Sequence, residues 1–279
     1  MLDPLIEREY NLRIRHPERD AVYARFAAAS AALRARWPGF RTIPYGDSPR
    51  QAIDFFPAAA QTQRAPLFVF IHGGYWRALE RGMFSFLAEA WLARGVHVAL
   101  PGYDLAPAVG VRTIASQVRR SLERLLEAAD ALRIDRANIV VSGHSAGAHL
   151  GALVLGEMRR NTARGFAGVS GVYALEPLLA TSVNADVHLD VDEARALSPQ
   201  RRAADPAQRH LCAVGGAETD GFRGQTHEYV VHLRALGARA EAFEVPGRTH
   251  FDILDDLADP ERELFRRVWS LLDPPGETA

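Results

Sequence analysis

The chain predicts an α/β fold: a doubly wound, mostly parallel sheet with helices on both faces and a small helical cap. Three observations lead there. Short apolar runs end in Gly- or Pro-bearing turns, amphipathic stretches lie between them, and a G-H-S-A-G turn joins one run to a helix-like segment. Continuous apolar runs suit parallel strands covered on both faces, because a strand with one wet face alternates instead. Right-handed crossovers through the intervening helices then build a doubly wound sheet.

Residues 5–37, rich in Ala and Arg, predict an N-terminal arm over the core, helical from about Glu18. Residues 41–46 and 51–57 predict an antiparallel pair turned at Asp47-Ser48-Pro49, forming one edge of the sheet. Strands follow at 67–71, ending in His72-Gly73-Gly74, and at 96–100, ending in Pro101-Gly102-Tyr103-Asp104. The run 139–141 leads into the serine turn, 166–169 into Ser170-Gly171, 210–214 into Gly215-Gly216, and 240–245 closes the series. Helical patterns occupy roughly 81–94, 113–132, 146–159, 222–236 and 261–272. In the second, Ile114, Val118, Leu122, Leu125 and Leu126 share one face, with Arg119, Arg120 and Glu123 opposite. Residues 172–208 carry Pro177, Pro199 and Pro206 and no strand pattern, which predicts a small helical cap inserted over the strand ends. With no repeat or linker, 1–279 reads as one domain with an arm at about 5–37 and a cap at about 172–208.

Composition narrows the function classes. Hydrophobic content of 48% with 24% charge describes a soluble globule with a sizeable core. The balance of 33 Lys+Arg against 34 Asp+Glu argues against nucleic acid as a partner. The single cysteine, Cys212, excludes an internal disulfide and a multi-cysteine zinc site, and its apolar run predicts a buried strand residue. The opening Met1-Leu2-Asp3-Pro4-Leu5-Ile6-Glu7-Arg8 lacks the secretory pattern, and no apolar stretch reaches the length of a bilayer. A cytoplasmic enzyme without membrane contact is expected. Its expected partner is a small molecule, with a homodimer left open.

A serine hydroxyl needs a base within hydrogen-bond reach, and the base needs an acid to hold its tautomer. Ser145 sits on the strand-to-helix turn, where small neighbours let the backbone close and leave the hydroxyl exposed to a reactant. His250, on a Gly-containing loop between the last strand and the last helix, stands where the base belongs. The loop Gly215-Gly216-Ala217-Glu218-Thr219-Asp220 offers two acids. Glu218 is favoured because it is nearer the strand end; Asp220 is the alternative, with helix capping as its competing role. The oxyanion made by attack on a carbonyl needs preorganised donors. The N–H of Ala146, at a helix N-terminus, is one, and the loop bearing Gly73, Gly74 and Tyr75 supplies the others. Tyr75 and Trp76 are candidates for an aromatic substrate wall, although Trp76 equally suits a place beneath the loop. Met83, Phe84 and Phe86 have core spacing, and Tyr173, with Leu178 and Asn184, is placed by position beside the leaving group. His72, His144 and His149 cluster near the serine, but without an H-E-x-x-H pattern no metal or other cofactor is expected.

These motifs resemble those of α/β-hydrolases of the kynurenine formamidase (arylformamidase) and esterase type. The resemblance rests on H-G-G-Y-W at 72–76, Tyr103-Asp104-Leu105-Ala106-Pro107 and G-H-S-A-G at 143–147, with Glu9-Tyr10-Asn11 in keeping, and covers roughly 41–272. It implies a serine hydrolase that removes a small acyl group, formyl included, from an aryl amide or ester through an acyl-enzyme. It equally implies a carboxylesterase for short-chain or aryl esters. A non-catalytic ligand-binding homologue is a distant third, since such chains usually lack a triad member or the oxyanion glycines. Many formamidases carry aspartate where this chain has Glu218.

Overall fold

In the computed structural model, which describes residues 2–59 and 64–272, eight strands form one sheet. They are β1 (Arg41–Pro44), β2 (Ala52–Phe56), β3 (Ala65–Ile71), β4 (His97–Pro101), β5 (Ile134–His144), β6 (Gly165–Val169), β7 (Arg209–Gly215) and β8 (Arg239–Val245). In space they run β1-β2-β4-β3-β5-β6-β7-β8. The first two strands are antiparallel and form an edge, and β3 to β8 are parallel. Val69 on β3 faces Ala99 on β4 and Val141 on β5, so the chain leaves β3 first to one side and then to the other. That reversal opens a crevice at the strand ends, the usual place for a ligand in a doubly wound sheet. The H-G-G-Y-W loop and the serine turn flank it. Both ends of the expected 1–279 span, Met1 and 273–279, lie outside the described residues, as do 60–63.

The arm begins with α1 (Pro4–Tyr10), which the sequence reading did not anticipate. Its signal is short: Asp3 caps Leu5 N–H at 2.9 Å and Ile6 N–H at 3.3 Å, and Pro4 takes the first position, where no amide donor is needed. The second helix, α2 (Arg19–Arg36), turns Phe26, Ser30 and Leu33 inward. Ser30 donates to the Met83 carbonyl at 2.8 Å and accepts from Phe86 N–H at 2.9 Å, which stitches α2 to the turn at 81–87. Tyr10 and Leu12 belong to the core on one face of the sheet, Phe26 and Leu33 to the core on the other. The intervening residues therefore cross over the sheet at its C-terminal end.

The helices that follow depart from expectation at their ends. The stretch at 81–94 starts as a 3-10 turn (Arg81–Leu87) and becomes α3 (Ala88–Leu92). The stretch at 113–132 divides at Ala128 into α4 (Val111–Glu127) and α5 (Ala129–Leu132). After the serine turn comes α6 (Ala146–Glu157), apolar on nearly every side because sheet and flanking helices enclose it. Residues 172–208 form short pieces only, including α7 (Asn184–Val187) and α8 (Val191–Ala196). Next is α9 (Asp220–Ala235). The last pattern, at 261–272, is preceded by an unanticipated helix: α10 (Ile253–Ala258) stands ahead of α11 (Glu263–Trp269), and Pro260 separates them.

The side-chain period of two sorts the strands into two cores. Leu67, Val69 and Ile71 pack with α4, α6 and α9, while Phe68 and Phe70 face α3, α10 and α11. Phe68 stacks on Trp91 at 4.0 Å between centroids. Cys212, on β7, is buried.

Candidate active site

Ser145 stands between β5 and α6 at φ 54° and ψ −120°, a conformation that L-residues avoid. The surroundings enforce it. Its N–H donates to Val169 at 2.9 Å and its carbonyl accepts from His149 N–H at 3.1 Å. A Cβ at Gly147 would lie 2.0 Å from the Ile71 carbonyl oxygen, and one at Gly143 would lie 2.4 Å from the Gly147 backbone. Only glycine lets the turn sit against the end of β3. Ser145 lines a cavity of about 290 Å³, together with Gly74, Tyr75, His144 and His250.

His250 and Glu218 meet beneath that cavity. The imidazole Nδ1 is 2.7 Å from Glu218 Oε2, and the two side chains are 5% and 0% exposed. The other carboxylate oxygen, Oε1, accepts from Ser170 Oγ at 2.6 Å and from Gly215 N–H at 2.7 Å. A carboxylate with three donors around it is fixed in place. Because it only accepts, His250 Nδ1 carries the proton and Nε2 keeps its lone pair. Asp220 is elsewhere: its side chain is 95% exposed and pairs with Arg223 at 3.3 Å. It does not cap α9 either. Thr219 does, accepting from Phe222 N–H at 3.5 Å, because it occupies the residue just before the first helical turn.

Two residues join this group without having been singled out for it. Ser170, at the end of β6, orients Glu218; its signal was the small Ser-Gly pair after an apolar run. His144 Nε2 donates to the His250 carbonyl at 2.8 Å, with the rings 4.6 Å apart. Burial pushes the His144 pKa well below its ordinary value, and a second proton on the neighbouring His250 would push it further. A neutral His144 therefore buttresses the backbone of the His250 loop.

The H-G-G-Y-W loop wraps the other side of the serine. Gly74 has φ 108°, and Tyr75 and Trp76 follow at 49° and 58°, so three successive residues are left-handed. A Cβ at Gly73 would lie 2.7 Å from the His144 carbonyl oxygen, which brings the loop directly against the serine turn. The Ala146 N–H opens α6. Tyr75 lines the cavity and its hydroxyl donates to the Tyr10 carbonyl at 2.6 Å. Trp76 does not line it, which corrects its assignment as a substrate residue. The left-handed backbone turns the indole under the loop, where it is fully buried and donates to His149 Nδ1 at 3.3 Å. His149 Nε2 then donates to the Leu197 carbonyl at 2.8 Å.

Tyr173 is also corrected. It is fully buried and stacks on Tyr229 at 4.0 Å, with its hydroxyl in the space that a Cβ at Gly168 would fill. Leu178 is core, and Asn184 closes a local turn with Leu189 through bonds of 2.7 and 2.9 Å. Among the described residues, 172–208 contribute nothing to the cavity wall. The arm contributes Asn11, Leu12, Arg13, Arg19, Asp20 and Tyr23.

His72 and His149 make this architecture sensitive to acid. His72 stacks on Tyr103 at 4.2 Å and hydrogen-bonds the Gly73 carbonyl at 2.8 Å. Burial lowers the pKa of each to about 4. An unfolded chain binds those protons near pH 6.5, so the stability they contribute is full above that value and is lost as pH falls toward 4. By pH 5 the expected loss is about 2 kcal/mol for each histidine. Urea unfolding at pH 7.5 and 5 checks this, and a pH-independent midpoint would contradict it.

Fold and site together define an α/β-hydrolase of the esterase and formamidase type. The BD-FAE family model matches residues 53–183. The kynurenine formamidase of Danio rerio is 30% identical over 227 residues, covering 78% of this chain and 76% of that one. A crystal structure from Silicibacter sp. tm1040, of a protein provisionally named a thioesterase, superposes with TM-score 0.77 at 32% identity, covering 90% of this chain and 93% of the other. A carboxylesterase from a metagenomic library shares the fold at TM-score 0.72 and 19% identity, covering 93% of this chain and 98% of its own. The chain belongs to the kynurenine formamidase family, and it is a hydrolase of arylformamidase or carboxylesterase type. Among the described residues, no helix is long and apolar enough to cross a membrane.

Proposed function

We propose that this hydrolase cleaves the formyl group from an aryl formamide, with Ser145 as nucleophile, His250 as base and Glu218 as the acid that orients it. The observation that carries the reading is the buried 2.7 Å Glu218–His250 pair opening onto the same cavity as the strained Ser145. Ser145 Oγ attacks the carbonyl carbon while its proton passes to His250 Nε2. The N–H groups of Gly73, Gly74, Tyr75 and Ala146 are the candidate donors to the tetrahedral oxyanion. Collapse breaks the C–N bond, and the amine leaves with the proton from His250. Water, deprotonated by the same imidazole, then attacks the formyl ester, releasing formate and restoring Ser145.

Two features favour a small acyl group and an aryl leaving group. At about 290 Å³ the cavity lies at the low end of ligand pockets and suits one ring system. Its walls carry Tyr75, Tyr23 and Phe251. The alternative substrate is a short-chain or aryl ester, which the same steps hydrolyse. Comparing kcat/KM for N-formylkynurenine with that for an aryl acetate separates them. The formamide should be preferred by about tenfold or more, the factor that 1.4 kcal/mol of transition-state binding gives. A preference for the ester by orders of magnitude would overturn the formamidase reading.

A further inference from the structure

The proposed reaction makes no use of Glu9-Tyr10-Asn11, the segment at which α1 ends. Neither Glu9 nor Tyr10 lines the cavity, yet each is bonded to a loop that holds part of the site. Glu9 Oε2 accepts from Gly221 N–H at 2.7 Å, one of the donors that the start of α9 leaves without a helical partner. The Glu9 carbonyl accepts from Thr219 Oγ1 at 2.8 Å, on the residue directly after Glu218. Tyr10 reaches the other loop. Its carbonyl accepts from the Tyr75 hydroxyl at 2.6 Å, so the far end of a side chain on the oxyanion loop is fixed to the arm. Tyr75 needs such support, because an L-residue at φ 49° persists only where its surroundings hold it. The Tyr10 ring lies 5.6 Å from that of Phe222, which in turn lies 4.6 Å from the imidazole of His250. Asn11 anchors the segment: its Nδ2 donates to Glu7 Oε1 at 2.6 Å and to Ser182 Oγ at 3.1 Å.

We propose that Glu9 and Tyr10 are positioning residues, a clasp that ties the acid loop at 215–221 to the oxyanion loop at 72–76 and fixes their separation across Ser145. The inference rests on the roles proposed above for Glu218 and the oxyanion donors, and it gives the arm a part in both. The two loops follow different strands, β7 and β3, with β5 and β6 between them. Sheet hydrogen bonds stop where the strands end, so the placement of one loop against the other falls to contacts such as these. A reacting or stabilising group misplaced by about 1 Å can cost about a hundredfold in rate. Oxyanion donors act on charge that develops only in the transition state, so loosening them lowers kcat and leaves substrate binding nearly unchanged.

Glu9→Ala opens the clasp at the acid loop and leaves the cavity wall intact. With 4-nitrophenyl acetate as substrate, kcat should fall about tenfold while KM stays within about twofold. Glu9→Gln should recover most of the loss, because its amide oxygen still accepts from Gly221 N–H. Tyr75→Phe removes the hydroxyl and keeps the ring and the backbone donor. It should match Glu9→Ala in kcat, and it keeps the test decisive if that variant fails to fold. Combined, the two should cost little more than either alone, since one open link already frees the loops, whereas independent supports would multiply to about a hundredfold. A multiplied loss overturns the clasp, as does kcat within about twofold of wild type in both single variants, or a change confined to KM in Glu9→Ala. Hydrogen exchange tests the link apart from turnover. Glu9→Ala should speed exchange in the 72–77 peptide about tenfold, although the bond removed is to Gly221. Unchanged exchange there overturns the link. Faster exchange in a chain without turnover would sink the hydrolytic roles and leave the clasp; turnover and exchange both unchanged in the variants would do the reverse.

Discussion

Ser145→Ala should lower kcat by about ten-thousand- to a million-fold while the fold and its thermal midpoint stay in place. The hydroxyl is the only group lost. The backbone bonds that clamp the turn, to Val169 and from His149, do not involve it. Alanine tolerates φ 54° no worse than serine does. Stability should therefore change by less than about 1 kcal/mol, and relief of a polar group held for chemistry can even raise it. Turnover assays on one preparation, with circular dichroism as the folding control, decide the matter. Activity within tenfold of wild type would remove Ser145 from the nucleophile role.

Glu218→Gln is the second large effect, and its logic lies in a proton's position. Glu218 Oε1 accepts from Ser170 and Gly215, so the amide oxygen of glutamine will take that site. The amide NH₂ then faces His250 Nδ1, where Oε2 now accepts at 2.7 Å. A donor there forces Nδ1 to become the acceptor and moves the ring proton to Nε2. That nitrogen can no longer take the proton of Ser145. A loss in kcat of about ten-thousand-fold is expected, with KM changed far less. Ser170→Ala should give a smaller loss in the same direction. A Glu218→Gln enzyme within tenfold of wild type would show that the pair at 2.7 Å serves packing alone.

The layout of the candidate site was largely readable in the sequence because local rules govern it. A serine turn needs small residues at fixed offsets, an oxyanion loop needs glycines after a strand, and an acid near a strand end has little freedom. The 2.7 Å contact of Glu218 with His250, against 95% exposure at Asp220, follows from that proximity to the end of β7. What covers the site was not readable in the same way. Residues 172–208 look like a cap because they lack a strand pattern, whereas the cavity is covered by 11–23. The arm's position depends on contacts far apart in sequence: Tyr75 with the Tyr10 carbonyl, Tyr10 with Phe222 at 5.6 Å, and Arg25 with Asp255 at 2.7 and 2.9 Å. No periodicity within α2 encodes them. Trp76 and Tyr173 misled for a related reason. Both adjoin the site in sequence, but the sign of φ at Trp76, and the space left by Gly168 and Gly171 beside Tyr173, send the rings into the core. His144 was hidden inside the serine motif, since its partner is a backbone carbonyl 106 residues away.

The acid sensitivity and the proposed catalytic roles converge on one arrangement, the buried, neutral His72, His144 and His149 set around Ser145. Reaction of the purified chain with a fluorophosphonate, followed by peptide mass spectrometry, examines that arrangement most directly. The label should sit on Ser145 alone, disappear in Ser145→Ala, and slow strongly in Glu218→Gln. A label on another serine, or labelling that persists in Ser145→Ala, would contradict the assignment of Ser145 as the nucleophile.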